Sequence, residues 1–378
     1  MIAGGVGEAR TGKTMRNHAT GEARTLPGRY YYEPAIYALE QERIFSRLWV
    51  CVGRADETPD PGSYVLRDLG RESVLVLRDR QGRLRAYLNV CRHRGARLCT
   101  ATAGRLNATV QCRYHAWTYA LDGRLTGAPN MREDPTFDPA RYRLLPVALE
   151  VWEGLVWLNL AADPPPLADQ FGALYACFAR YRVGGLARAA TTTYDVRANW
   201  KLVVENFNEC YHCALVHPEL SARVPDFKAG RVTGQEGGAA PFGPGVESLT
   251  MTGKTARPPL RGLAPEDLRA YYGDTLKPNV FLNLHPDYVV VHMLHPVAPD
   301  RTRIVCDWLF DPEAAAAPGF DPSDAVAFWD LVNRQDWEVC ELAQQGVTSR
   351  AYDDGGLYAP NERHIRGFNE WVLDSITT

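Results

Sequence analysis

Two short loops, CRHRG from Cys91 and CRYHAW from Cys112, constrain this chain more than any other feature. Each supplies one Cys and one His, as C-x-H and then C-x-x-H, with residues 94–111 between His93 and Cys112. Two thiolates and two imidazoles make a complete metal-ligand set, so the fold must bring both loops to one point. Zinc accepts two Cys and two His in a tetrahedron. Its sites usually pair like with like, however, as C-x-x-C followed by H-x-x-x-H. One soft and one imidazole ligand from each loop suits a two-iron, two-sulfur (2Fe-2S) cluster in which one iron takes both Cys and the other both His. Arg92, Arg94, Gly95, Arg97 and Arg113 flank the ligands, a setting typical of exposed loops rather than of a core. Cys91, His93, Cys112 and His115 are therefore the expected cluster ligands, and Cys99 a small core residue. Histidine ligation sets the potential at roughly −150 to +300 mV, against about −400 mV for all-cysteine plant-type clusters. Such a cluster accepts electrons from a low-potential ferredoxin or reductase, and the arginine rim favours an acidic donor.

The segments around the loops read as a small antiparallel β domain: SYVLRDL, ESVLVLRD, RLRAYLNV, ATVQCR, AWTYALDG and GLVWLNL are short β-rich runs separated by turns such as DRQG and LDGR. YALEQERIFSRLW, residues 37–49, has the pattern of a short amphipathic helix. ADPPPLAD, residues 162–169, is the best linker. Beyond it come a helix at 171–180, a strand at TTTYDVRA, a helix over 200–215, strands at NVFLNLHP, YVVVHMLHPV and TRIVCDWLF, and two closing helices at 325–345 and 362–375. The expected class is α+β: a small antiparallel β domain, then a larger domain with an antiparallel sheet surrounded by helices. The expected boundaries are a mobile tail at 1–28, a helical segment at 29–48 packing on the larger domain, the cluster domain at 49–162 and the larger domain at 163–378. Residues 229–259, rich in Gly and Pro, read as a long loop.

The larger domain holds a second metal constellation, in NWKLVVENFNECYHCALVHPEL, residues 199–220. Glu209 and His212 are three apart and share a helical face. His217 lies five beyond His212, about 140° round an ideal helix, and joins the same site only if the helix ends between them; Pro218 predicts that ending. Two His and a carboxylate with open positions form the facial triad of oxygen-activating ferrous enzymes. The third ligand must come from elsewhere in the chain. Cys210 and Cys213 form a single C-x-x-C, read as pocket or packing residues rather than a redox pair. His285, His292 and His295 read as structural, with His285 and His295 on one strand face and His292 on the other.

CRHRG and CRYHAW resemble the Rieske domain of the non-haem iron ring-hydroxylating oxygenases, and the resemblance continues to the C-terminus. The gap between the loops is slightly longer than usual there, and Ala116 stands where that family commonly has Gly. The resemblance implies a mononuclear Fe(II) whose third ligand is an Asp on a C-terminal helix; RQDWEVCELAQQG looks like that helix and places the ligand at Asp336, with Glu338 and Glu341 as nearest competitors and Asp330 a weaker one. It implies that Glu209 joins His212 to His115 of the partner subunit within a homotrimer. Most relatives have Asp at that position. Glu resembles the branch acting on quaternary ammonium compounds such as glycine betaine, carnitine and stachydrine. The implied function is a terminal oxygenase that takes electrons from NADH or NADPH indirectly, through a ferredoxin or a flavin/iron-sulfur reductase, and uses O2 to hydroxylate or oxidatively N-demethylate a small methylammonium substrate. Hydroxylation of an aromatic ring is the alternative, and an electron carrier without oxygenase activity a remote one.

Composition narrows the partners. With 42 Lys and Arg against 45 Asp and Glu, the net charge of −3 gives no reason to expect a nucleic acid or a membrane surface. No apolar run reaches the length of a spanning helix and no signal-peptide core precedes residue 30, so the expected location is cytoplasmic. Nine scattered cysteines fit reduced thiols and metal ligands better than a disulfide framework. Gly7, Gly12, Lys13 and Thr14 satisfy a phosphate-loop pattern without the strand and helix it needs, and nucleotide binding is not expected there.

Overall fold

The computed structural model describes residues 23–231 and 236–377. The phosphate-loop match and most of the expected 1–28 tail lie outside them. From Ala23 onward the tail reading needs correction. Arg24 bridges to Leu357, Thr25 N–H donates to the Gly356 carbonyl (3.2 Å), and Leu26 is buried. An apolar side chain with a pocket to enter, on backbone that finds hydrogen-bond partners, holds this stretch in place.

Three small antiparallel sheets build the first part of the chain. One has the strand order Leu84–Leu88, Glu72–Arg78, Ser63–Leu69, Ala103–Arg105, and a second joins Thr109–Gln111, Thr118–Ala120 and Leu125–Gly127. The third pairs Val50–Arg54 with Leu155–Asn159 and Ala148–Trp152, so that strands from both ends of this region close it. Leu75, Leu77, Tyr87, Val110, Tyr119 and Leu144 form its core, which also takes in Cys91 and Cys112.

A six-stranded antiparallel sheet organises the rest, in the order Ala187–Val196, Arg301–Phe310, Tyr288–Ala298, Val280–Leu284, Ala270–Leu276, Ala240–Pro241. Its central strands are buried on both faces and read as near-continuous apolar runs. The 24-residue helix Ser323–Gly346 buries Phe328, Trp329, Val332, Trp337 and Cys340, and helix Arg363–Thr377 closes the chain. The architecture is α+β, as the strand and helix pattern implies.

Four local readings change. The first helix is Pro34–Arg43 rather than 37–49, because Pro34 supplies the fixed φ and missing N–H suited to a first turn. The helix expected at 171–180 is two short helices, Leu167–Phe171 and Leu174–Cys177, interrupted by Gly172 at φ 55°. The triple-proline stretch is strapped down: the Pro165 carbonyl accepts from Trp49 Nε1 (2.7 Å), and Leu167 is fully buried. The helix expected over 200–215 ends at Phe207 and resumes at Cys213–Val216. Asn208 N–H caps the first piece, and residues 208–212 form a turn.

Residues 29–48 lie against the larger domain. Tyr31 donates to Glu205 (2.8 Å), Trp200 Nε1 donates to Glu40 (2.8 Å), and fully buried Lys201 pairs with fully buried Glu40 while donating to Asn199 (2.9 Å).

Candidate metal centres

The two cluster loops share one backbone plan. Cys91 N–H donates to the Ala96 carbonyl (2.8 Å) and the Gly95 N–H to the Cys91 carbonyl (3.1 Å). Cys112 N–H donates to the Trp117 carbonyl (2.8 Å) and the Ala116 N–H to the Cys112 carbonyl (3.0 Å). Each turn reverses through a left-handed residue, Gly95 at φ 72° and Ala116 at φ 57°. Both thiols are thereby buried, while His93 is exposed and His115 half-buried. The imidazoles meet with Nδ1 atoms 3.1 Å apart. Trp117 stacks on His93 (centroids 4.9 Å), and Tyr114 on His115 (3.7 Å). Tyr119 Oη lies 3.4 Å from Cys91 Sγ and accepts from Arg92 N–H (3.0 Å), which leaves its own proton for the sulfur. Two inner thiols and two outer imidazoles on facing loops fit a 2Fe-2S cluster ligated by Cys on one iron and His on the other. Cys99 is buried in the core.

The second constellation forms around the turn at 208–212. Glu209 and His212 are near each other through this turn, not along a helical face. His212 Nδ1–H donates to Glu209, whose second oxygen accepts from the backbone N–H of Tyr211. His217, with φ −121° and ψ 69°, sits between helix Cys213–Val216 and helix Pro218–Arg223, the break that Pro218 requires. Its Nδ1–H donates to Gln335 (2.7 Å). Both rings therefore present Nε2 inward: the Nε2 atoms are 3.2 Å apart and lie 3.3 Å (His212) and 2.8 Å (His217) from Asp336 Oδ1. Among the described residues these three are the group whose donor atoms all fall within 4.8 Å of one another. Anchoring Nδ1 to fix the tautomer is how ligating histidines are oriented. Burial opposes charge on His212, but Asp336 and Glu209 outweigh it and hold its pKa up at about 10. Burial likewise raises Asp336, and the two imidazoles more than reverse this, leaving it well below the usual carboxylate range. Two imidazoles and a carboxylate that polarise one another at a single point fit a divalent cation.

Of the competing carboxylates, Glu338 is exposed, and Glu341 and Asp330 are engaged elsewhere. Glu341 pairs with Arg197 (2.9 Å), and Asp330 accepts from Tyr194 (2.7 Å) and Arg334 (2.8 Å). Cys210 and Cys213 line the cleft beside the triad, as pocket residues, but as a disulfide rather than as the reduced thiols expected. Their Cα atoms stand 4.9 Å apart, within bridging range. His285 and His292 do not lie on opposite sides: His285 is in the turn before strand Tyr288–Ala298, outside the alternation, and both contact helix Ser323–Gly346, through Trp329 and Asn333. Sequence reading missed Gln335, Tyr119 and Tyr271; for Gln335 the adjacency to Asp336 was the available signal.

A cleft opens beside the triad, lined by Phe207, Leu220, Phe227, Tyr271, Trp329 and Val332 together with the triad and Glu209. Four aromatic rings and two carboxylates face it, and none of the lining residues is Lys or Arg.

Comparison with known proteins agrees with both centres. The Rieske [2Fe-2S] domain profile matches residues 48–146, and that of the ring hydroxylating alpha subunit catalytic domain matches residues 183–378. The chain is 33% identical to the glycine betaine monooxygenase oxygenase subunit of Chromohalobacter salexigens, over 93% of this chain and 86% of that one. It is 32% identical to the carnitine monooxygenase oxygenase subunit of Escherichia coli K12, over 89% and 87%. A solved quaternary ammonium Rieske monooxygenase, studied for carnitine oxidation and inter-subunit electron transfer, superposes with a TM-score of 0.76 at 25% identity, covering 94% of this chain and 96% of that one. With both domains matched and relatives aligned over most of its length, the chain belongs to the Rieske non-haem iron oxygenases, as an alpha (terminal oxygenase) subunit that works with a reductase on a small organic substrate.

Proposed function

We propose that this oxygenase removes a methyl group oxidatively from a small methylammonium compound, in a homotrimer whose subunits complete one another's electron path. The observation that carries the reading is the cleft beside His212, His217 and Asp336, walled by the rings of Phe207, Phe227, Tyr271 and Trp329 and free of Lys and Arg. Aromatic faces attract a desolvated ammonium by roughly 0.5–2 kcal/mol per ring. The relatives named for glycine betaine and carnitine, and Glu209 at the bridging position, support the same class.

Cys91, His93, Cys112 and His115 hold the cluster, and His212, His217 and Asp336 hold the iron. The cluster supplies single electrons and the ferrous ion supplies dioxygen activation. Glu209 fixes His212 by accepting its Nδ1–H, and in the assembly it links His212 to His115 of the partner subunit. His115 suits that contact because it stands half-exposed at the tip of its loop. Gln335 holds His217, and the aromatic walls hold the methylammonium head and limit access of water. The net reaction consumes one O2 and one NAD(P)H, forming an N-hydroxymethyl group and water; the carbinol then releases formaldehyde and leaves the demethylated amine.

The test is a substrate panel of glycine betaine, carnitine, choline and simple aromatic acids, given to the iron-loaded protein with a reductase. Formaldehyde formed in step with NAD(P)H consumption on a methylammonium compound is expected. Hydroxylated aromatic product without formaldehyde overturns the reading.

A further inference from the structure

Behind the cleft runs a chain of buried polar groups that the metal centres do not use. Tyr271 Oη bonds Asn283 Oδ1; Asn283 Nδ2 lies 3.1 Å from His292 Nδ1; His292 Nε2 lies 3.0 Å from Asn333 Oδ1; Asn333 Nδ2 lies 3.3 Å from Tyr194 Oη; and Tyr194 Oη lies 2.7 Å from Asp330 Oδ1. Tyr271, Asn283, His292, Asn333 and Tyr194 are all buried, and only Asp330 reaches the surface, where Arg334 pairs with it (2.8 Å).

The direction of every bond follows from the last one. An ionised carboxylate only accepts, so Tyr194 must donate to Asp330. Tyr194 then has only its lone pairs for Asn333, which must donate through Nδ2 and turn Oδ1 toward His292. His292 must carry its proton on Nε2. Burial, partly offset by Asn333, lowers the pKa of His292 to about 4, so the ring is neutral and Nδ1 accepts. Asn283 must then offer Nδ2 to His292 and Oδ1 to Tyr271, and Tyr271 must donate away from the cleft. Gly273, two residues along the same strand, makes the geometry possible: a Cβ there would lie 2.1 Å from Tyr271 Oη.

We propose that Asp330 fixes, through this one-way chain, the orientation of the Tyr271 hydroxyl, so that the cleft meets the phenol's lone pair and ring face rather than its proton. Asp330, Tyr194, Asn333, His292 and Asn283 are thus positioning residues for a cationic substrate head. The inference rests on the methylammonium reading above. With the chain reversed, Tyr271 would be free to present an O–H to the substrate, a donor suited to an anion and unfavourable to an ammonium.

The test uses the iron-loaded enzyme with two probes, glycine betaine and its carbon isostere 3,3-dimethylbutanoate, which has the same shape without the cationic centre. Asp330→Asn places an amide that can donate to Tyr194, and Tyr194→Phe cuts the chain while keeping the ring; neither residue lines the cleft. Both variants are expected to lower the preference for glycine betaine over the isostere by about threefold or more, through binding, with kcat and iron content within about twofold of wild type. An unchanged preference in both variants overturns the inference. A wild-type protein with no preference sinks the substrate reading instead. Neutron diffraction of the iron-loaded protein then decides the chain: deuterons on His292 Nε2 and on the Asn283 side of Tyr271 Oη support it, and a deuteron on His292 Nδ1 or a Tyr271 hydroxyl turned into the cleft overturns it.

Discussion

Ala116 occupies, in the second cluster loop, the place that Gly95 holds in the first, and both are left-handed. A Cβ in that conformation costs roughly 1–2 kcal/mol, partly offset by the chain entropy a glycine would lose on folding. Ala116→Gly is therefore expected to stabilise the fold by about 0.5–1 kcal/mol, read as a higher midpoint in thermal or denaturant unfolding; a lower midpoint would contradict the shared loop plan. Tyr119 bears on the cluster's potential, since its hydroxyl donates to Cys91 Sγ. Hydrogen bonds to the sulfurs raise a cluster's potential, so Tyr119→Phe should lower it by tens of millivolts, on the order of one weak hydrogen bond, in a spectroelectrochemical titration. The proposed cluster ligands were legible in the sequence because each Cys and His pair sits within one loop, where spacing is local information. Tyr119, Gln335 and Tyr271 were not, because their partners are set by packing between distant strands and helices.

Helix Trp200–Phe207 ties the N-terminal segment to the larger domain. Its buried Lys201 and Glu40 hold residues 29–48 against the larger domain, with Trp200 Nε1 and Asn199 completing the hydrogen bonds. Removing one partner leaves an uncompensated charge, so Lys201→Met is expected to cost about 3–5 kcal/mol, while Lys201→Met combined with Glu40→Leu should recover most of that loss. Equal losses in the single and double variants, measured by chemical unfolding, would show that the pair does not act as a unit. The end of this helix was the hardest boundary to read. Its apolar pattern runs on past residue 207, and what stops it is the turn that brings Glu209, His212 and the Cys210–Cys213 bridge to the site. Of the ten strands around the cluster six were read, Ser63–Leu69 and Glu72–Arg78 nearly to the residue because alternation and turn residues both mark them; Val50–Arg54, Ala103–Arg105, Leu125–Gly127 and Ala148–Trp152 were not read, and the start of helix Pro34–Arg43 was missed because its first turn rests on a proline rather than on the apolar period.

Across the whole molecule, buried neutral histidines link stability to pH. Burial lowers the pKa of His292 to about 4 and places that of His285 well below its ordinary value. An unfolded histidine takes up a proton near pH 6.5, while the folded one does not until much lower, so the unfolded state binds more protons between those values. Stability is thus complete above about pH 6.5 and falls as pH drops toward 4, with His292 contributing on the order of 3 kcal/mol. Unfolding free energies measured between pH 8 and 4 should show this decline, shallower by one proton in His292→Gln; an equal slope in the variant would contradict it. Acid should also compete with iron, because Glu209 and Asp336 hold His212 up at about 10 and ligation needs the neutral ring. The two-domain plan was legible because each part carries its own metal motif, whereas the directional chain from Asp330 to Tyr271 joins residues from five elements and has no local signature. One chain is expected to hold both centres. Anaerobic iron and sulfide analysis of the loaded protein should find about three irons and two acid-labile sulfides per chain, falling to about two irons with both sulfides kept in Asp336→Ala. Two irons in the wild type, or no loss in the variant, would contradict the account.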